Sequence, residues 1–113
     1  MKTLLLGVLL AFVSVTVVHG QTGTGMNLLK FCKDGQQPLT NGTTYSAGYC
    51  DGLVHGVATT AQMTHSVSIP DDVSGGQLQL VVIKYLSDHP ESLNESDTVL
   101  VLRALMAVYP YRK

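Results

Sequence analysis

Between Gln77 and Pro90 the chain reads QLQLVVIKYLSDHP, with apolar side chains at Leu78, Val81, Val82, Tyr85 and Leu86. Offsets of i, i+3, i+4, i+7 and i+8 make one broad stripe of a 3.6-residue helix. Gln77, Gln79, Lys84, Ser87 and Asp88 fall mostly off that stripe. Ser74, just upstream, has the side chain of an N-cap. Pro90 ends the helix, because it disfavours helical geometry at His89 and has no N–H to donate. A second helix is expected at once, with Val99, Leu100, Leu102, Ala104, Leu105, Met106 and Val108 as its apolar positions and Tyr109-Pro110 as its stop. Asn94 is its expected N-cap, with Asp97 three residues on in a capping-box arrangement. The C-terminal third is therefore a helical hairpin, whose apolar side the rest of the chain must cover.

Upstream, the pattern gives two more helices. Met26 to Lys33 places Leu28, Leu29 and Cys32 on one face, and Gly35 has the freedom for the left-handed position that closes such a helix. Gln21 to Gly25, rich in Gly and Thr, reads as a mobile tail. Gln36 to Thr43 is a polar loop holding Pro38 and the turn dipeptide Asn41-Gly42. Thr44 to Gln62 is the next helix, with glycines at 48, 52 and 56, one turn apart. Each costs about 1 kcal/mol relative to alanine inside a helix. The bare face they create is read as close helix–helix packing within the domain; a homodimer through the same face stays open. Met63 to Val73 is a loop centred on Ile69-Pro70-Asp71-Asp72. Strand signal is confined to the short alternation Ser66-Val67-Ser68-Ile69. The expected fold class is all-α: a small four-helix domain with one disulfide.

The N-terminus changes the setting. Met1-Lys2-Thr3 precedes an apolar run from Leu4 to Val18, and Val18-His19-Gly20 fits the small-x-small cleavage pattern, so residues 1–20 read as a secretory signal peptide. The run is shorter than the ~20 residues a spanning helix needs, which argues against an anchor. The remaining Gln21 to Lys113 forms a single domain, with six basic and eight acidic side chains and a net charge of −2. That balance leaves no electrostatic footprint for nucleic acid, or for a membrane once the signal is cleaved. Two cysteines remain, Cys32 and Cys50. Export to an oxidising compartment makes a disulfide the default. It would constrain the unfolded chain by roughly 3 kcal/mol in the loop-entropy model. Two free thiols or a catalytic cysteine are the competing readings.

Candidate chemistry is sparse. His55, His65 and His89 share no His-x-x-x-His spacing, and no four-ligand set of the zinc type occurs. His89 is placed to hydrogen-bond the end of its own helix. Cys50 and His55 lie five apart on a helix and point in different directions, against a Cys–His nucleophile. Asp71 and Asp72 are adjacent in one loop, whereas acid–base pairs converge across a cleft. They read as an acidic partner contact or as ordinary loop solubility. Asn41-Gly42-Thr43 and Asn94-Glu95-Ser96 match the glycosylation sequon, which bears only on a eukaryotic secretory route.

The string Gln77-Leu78, Val81 to Leu86, His89-Pro90-Glu91, Val99-Leu100, Ala104-Leu105 and Tyr109-Pro110 resembles the second half of the Rap/Tai-type immunity proteins. These are periplasmic antidotes to peptidoglycan amidases delivered by type VI secretion. Gly48-Tyr49, Gly52 and Ile69-Pro70 are similar to the family's Gly-Tyr…Gly helix and Ile-Pro loop, so the resemblance runs from about Leu28 to Tyr111. It implies a non-enzymatic, cofactor-free periplasmic protein that covers or plugs the active site of its toxin. A chaperone-like periplasmic stress domain is the alternative. His65, Ile69, Asp71 and Asp72 are the candidate partner contacts. The family pattern has four cysteines. Cys32 matches the first, while Ser46, Ser68 and Tyr111 stand at the other three, with Cys50 one helical turn beyond Ser46. The resemblance therefore implies that one bridge survives as Cys32–Cys50. The pair at Ser68 and Tyr111 is lost, which leaves that loop and the C-terminus less tightly tied than in relatives.

Overall fold

The computed structural model describes residues 23–113; the expected signal peptide lies outside that range. Four α-helices form the domain: α1, Gly25–Gly35; α2, Thr44–Met63; α3, Gly75–Asp88; and α4, Asp97–Val108. A 3₁₀ turn over Pro90–Ser92 joins α3 to α4. The all-α expectation holds, with two isolated β-bridges, Thr24 with Ser96 and Val67 with Pro110, as the extended pairings among the described residues.

Each helix contributes a narrow buried stripe at helical spacing. The stripes are Leu28 and Cys32 from α1; Cys50, Val54, Ala58 and Ala61 from α2; Leu78, Val82 and Leu86 from α3; and Leu100, Val101, Ala104 and Leu105 from α4. Val67 joins them from the loop after α2. α3 begins as its sequence predicts. The Ser74 hydroxyl accepts from the Gln77 N–H while the Gln77 side chain accepts from the Ser74 N–H, a complete capping box. It ends at Asp88, where His89 Nδ1 donates to the Tyr85 carbonyl at 2.7 Å and stacks on the Tyr85 ring.

Cys32 and Cys50 are bonded, with Cα atoms 5.1 Å apart and neither residue exposed. The bridge ties α1 to α2 at the centre of the core and removes both thiols from any nucleophilic role. It also fixes the rotation of α2 about its axis, and here one expectation is overturned. Gly48, Gly52 and Gly56 are exposed, and a Cβ built at any of them would meet nothing within 4 Å. With Cys50 turned to the core, glycines spaced at 48, 52 and 56 fall on the far side of a 3.6-residue helix. The bare face packs against no other element of the domain.

Three end assignments are also corrected. Gly35 lies inside the last turn of α1, and no described glycine has positive φ; its lack of a side chain instead lets Ala47 Cα approach to 3.2 Å of where a Cβ would sit. Asn94 does not cap α4, whose N-cap is Ser96; Asp97 is the first helical residue and is buried. Residues 23–25 are not a free tail. Gly25 N–H donates to Glu95 O, Met26 N–H to Leu93 O, and Asp97 N–H to Gly23 O, so the chain start is laid along the loop before α4.

Because the glycine face is open, Gly52→Ala and Gly56→Ala should each stabilise the monomer by about 0.5–1 kcal/mol through lower unfolded-state entropy. The check is the urea midpoint of each variant, expected to rise with the slope unchanged. A fall would mean that the added methyl meets a neighbour.

Candidate functional site

The segment that leaves α2 is held by backbone chemistry. His65 N–H donates to Gln62 O and Ser66 N–H to Ala61 O, the paired bonds of a Schellman ending. The position between helix and exit is left-handed in that motif, and His65 occupies it with φ 56° where glycine is usual. Its ring lies against Tyr111, with centroids 5.3 Å apart. The chain then runs antiparallel to the C-terminal segment. Val67 bridges Pro110, Ser68 N–H donates to Tyr109 O at 3.0 Å, and Arg112 N–H donates to Ser68 Oγ at 2.9 Å. So Ser68 and the residues around Tyr111 remain joined, by hydrogen bonds. Beyond them, Gln62 Nε2 donates to Ile69 O, and Val73 N–H closes a turn onto Pro70 O.

The result is a ridge, Ile69-Pro70-Asp71-Asp72, between two clefts. One, of about 260 Å³, is lined by His55, Gln62, Asp71, Val73 and Leu78 with the ridge itself. The other, of about 470 Å³, lies between the ridge and Val108, Tyr109 and Arg112. Of the four sequence-predicted contacts, Ile69 and Asp71 thus share a cleft. Asp72 is exposed beside them, and His65 stands apart against Tyr111 as the helix-ending residue. His55 shares the cleft with Asp71, but among the described residues no group of three histidine, cysteine or acidic side chains that could hold a metal occurs. What this arrangement can do chemically is present a pre-shaped acidic turn to another surface.

The sequence did not indicate a second feature. An open groove of about 410 Å³ runs between α2 and α4, floored by Gly52 and Gly56 and walled by Leu53, Val57 and Leu102. Its lining carries no charged side chain. At the Thr98 end of this groove lies the buried Asp97. Tyr49 OH donates to Asp97 Oδ2 at 2.5 Å and Thr98 N–H to Oδ1 at 2.7 Å. A carboxylate in the first turn of a helix is also favoured by the helix dipole. Gly23 passes so close that a Cβ there would lie 2.6 Å from Asp97 Oδ2 and 2.7 Å from Tyr49 OH, so a side chain at this position would have to displace the pair. Tyr49 is further packed edge-on against Phe31, with Tyr45 alongside. Asp97 was legible only as half of a capping box; nothing local in the sequence pairs it with a tyrosine forty-eight residues away.

Residues 24–111 match the family model of Rap1a immunity proteins. The chain belongs to the Rap1a immunity protein family. No curated protein and no solved structure matches it. Immunity proteins of this kind act on secreted effectors by binding a toxin partner and are typically without enzymatic activity. The matched span covers all four helices, the disulfide, the ridge and the groove. Among the described residues, no helix is long and apolar enough to cross a membrane.

The Tyr49–Asp97 contact has a pH signature. The hydrogen bond to Asp97, then burial, then the carboxylate's charge, push the Tyr49 hydroxyl from its ordinary value near 10 up to about 12. The folded state thus holds the proton more tightly than the unfolded state. The contribution to stability is complete below pH 10 and is lost as pH rises from 10 through about 12. Tyr49→Phe should lower stability at neutral pH by about 1–3 kcal/mol, since Asp97 loses a donor in a buried setting. The variant should also flatten the decline between pH 10 and 12, which denaturant titrations across that range would show.

Proposed function

We propose that this protein is a periplasmic antidote that neutralises a cell-wall amidase, delivered by type VI secretion, by binding over its active site. Membership of the Rap1a immunity family carries the reading. The amidase target, the periplasmic setting and the secretion route extend it, and they rest on the resemblance in the α3–α4 hairpin and on the signal-like segment at residues 1–20. The fit of form to task supports it. A substrate cleft must be filled by something that projects into it, and Pro70, Asp71 and Asp72 are exposed between two clefts on a turn held at both ends by hydrogen bonds. His65, Ile69, Asp71 and Asp72 are the proposed contacts, with His65 at the edge. Pre-shaping the ridge limits the ordering entropy lost on docking. A homodimer through the glycine face belongs to the same proposal: Gly48, Gly52 and Gly56 are open to a second copy and the adjoining groove carries no charge.

Calorimetric titration of the chain from Gln21 to Lys113 against the secreted product of the neighbouring gene should give a saturating one-to-one isotherm. Asp71→Lys and Asp72→Lys together should weaken it at least tenfold, the ~1.4 kcal/mol scale of one lost charged contact. Unchanged affinity in that double variant would remove the ridge as the contact surface. Weak binding to many unfolded clients, with no tight partner, would favour the chaperone-like alternative. For the homodimer, sedimentation should show Gly52→Gln monomeric at concentrations where the wild type dimerises; a wild type that stays monomeric sinks that part.

A further inference from the structure

We infer that the C-terminal segment, Tyr109 to Arg112, is a positioning clasp that holds the Ile69–Asp72 ridge in its binding conformation. This rests on the ridge being the contact surface proposed above. Ser68 is bound twice, its N–H by Tyr109 O at 3.0 Å and its Oγ by the Arg112 N–H at 2.9 Å. Val67 bridges Pro110 and is buried. His65 stands in a left-handed conformation that is costly for a side-chain-bearing residue, and in that pose its ring meets Tyr111. The ridge begins one residue after Ser68.

The physical need for such a clasp follows from what the ridge lacks. Pro70, Asp71 and Asp72 are exposed and bury nothing of their own. On the C-terminal side the ridge is closed by Val73 N–H on Pro70 O and then by the capping box of α3. On the N-terminal side it has the single long bond from Gln62 Nε2 to Ile69 O, at 3.4 Å, and the clasp. An exposed turn held at one end samples many conformations, and affinity falls in proportion to the fraction that is binding-competent. Because Ser68 and His65 are joined to the C-terminal segment by hydrogen bonding and ring contact, the clasp can open without unfolding the helices. The bond from Arg112 N–H to Ser68 Oγ is exposed, at the low-stability end of the structure.

The test reads the ridge directly by amide hydrogen exchange in two variants: Ser68→Ala, and a chain ending at Pro110. The reporting amides are Ser68, whose N–H lies in the clasp, and Val73, whose N–H closes the ridge, with Val82 and Leu86 in α3 as the core reference. In the shortened chain, Val73 should exchange at least fivefold faster while Val82 and Leu86 keep their protection; Ser68→Ala should show the same change in smaller measure. If Val73 is unchanged, or if it loosens only in step with the core, the clasp is overturned. Affinity for the secreted product of the neighbouring gene should then fall about fivefold to tenfold in the shortened chain, as the competent fraction falls. A loosened Val73 with full affinity, in a protein whose Asp71→Lys and Asp72→Lys changes do weaken binding, would also overturn it. Full affinity in the lysine variants would instead remove the contact surface itself, while Val73 exchange still decides whether the clasp holds the turn.

Discussion

The Cys32–Cys50 bridge is the constraint on which the remaining geometry depends. α1 contributes few buried side chains, Leu28 and Cys32, with Gly25 at its start. Burying one leucine yields about 1.5–3 kcal/mol, whereas ordering each backbone residue costs about 1–2 kcal/mol. α1 cannot hold itself against the bundle on that basis. The cross-link removes unfolded-state freedom, and the backbone bonds from Gly25 and Met26 to the loop before α4 hold the other end of the helix. Once α1 is fixed, Cys50 sets the rotation of α2. That rotation sends Val54, Ala58 and Ala61 inward and the three glycines outward.

Two functional consequences follow from that single rotation. Outward glycines leave a shallow, uncharged groove beside α4 rather than a packed helix pair, so the domain has a face that binds nothing of its own. Meanwhile Tyr49 is carried to the edge of the core, where its hydroxyl reaches Asp97 and closes the N-terminal segment over the start of α4. The salt bridges contribute little by comparison. Lys30–Asp34 and Lys84–Asp88 are exposed pairs one turn apart, and the Glu95–Arg103 pair, which holds the Glu95 carboxyl below its ordinary value, is also at the surface.

The ridge after α2 belongs to a different regime. Val67 before it and part of Ile69 reach the core, and the rest is held by single hydrogen bonds from Gln62 and Val73 and by the bonds of Ser68 to the C-terminal segment. A helical body with a locally tethered turn suits the binding of a toxin partner, which is what membership of an immunity family implies. The body supplies stability, and the turn supplies shape at a small entropic cost on docking. Family membership and this division agree with each other, although they come from independent observations.

Much of the fold was written locally. The helical period of residues 78–86, the Ser74–Gln77 capping box, the Pro90 stop and the exposed Asp71-Asp72 turn depend on residues within a turn or two of one another, so the sequence determined them by itself. Family kinship and the pairing of the two cysteines were legible for a related reason: each rests on residue identity and order. The tertiary structure alone decided which way α2 faces, and with it whether Gly48, Gly52 and Gly56 are packed or open. It alone decided that Asp97 is a buried acceptor rather than a capping partner, that residues 23–25 are pinned, and that His65 ends a helix in a left-handed pose against Tyr111. Each of these is a relation between segments far apart in the chain. Spacing within a helix states which residues share a face, but which neighbour that face meets is fixed only when the disulfide and the core bring the helices together.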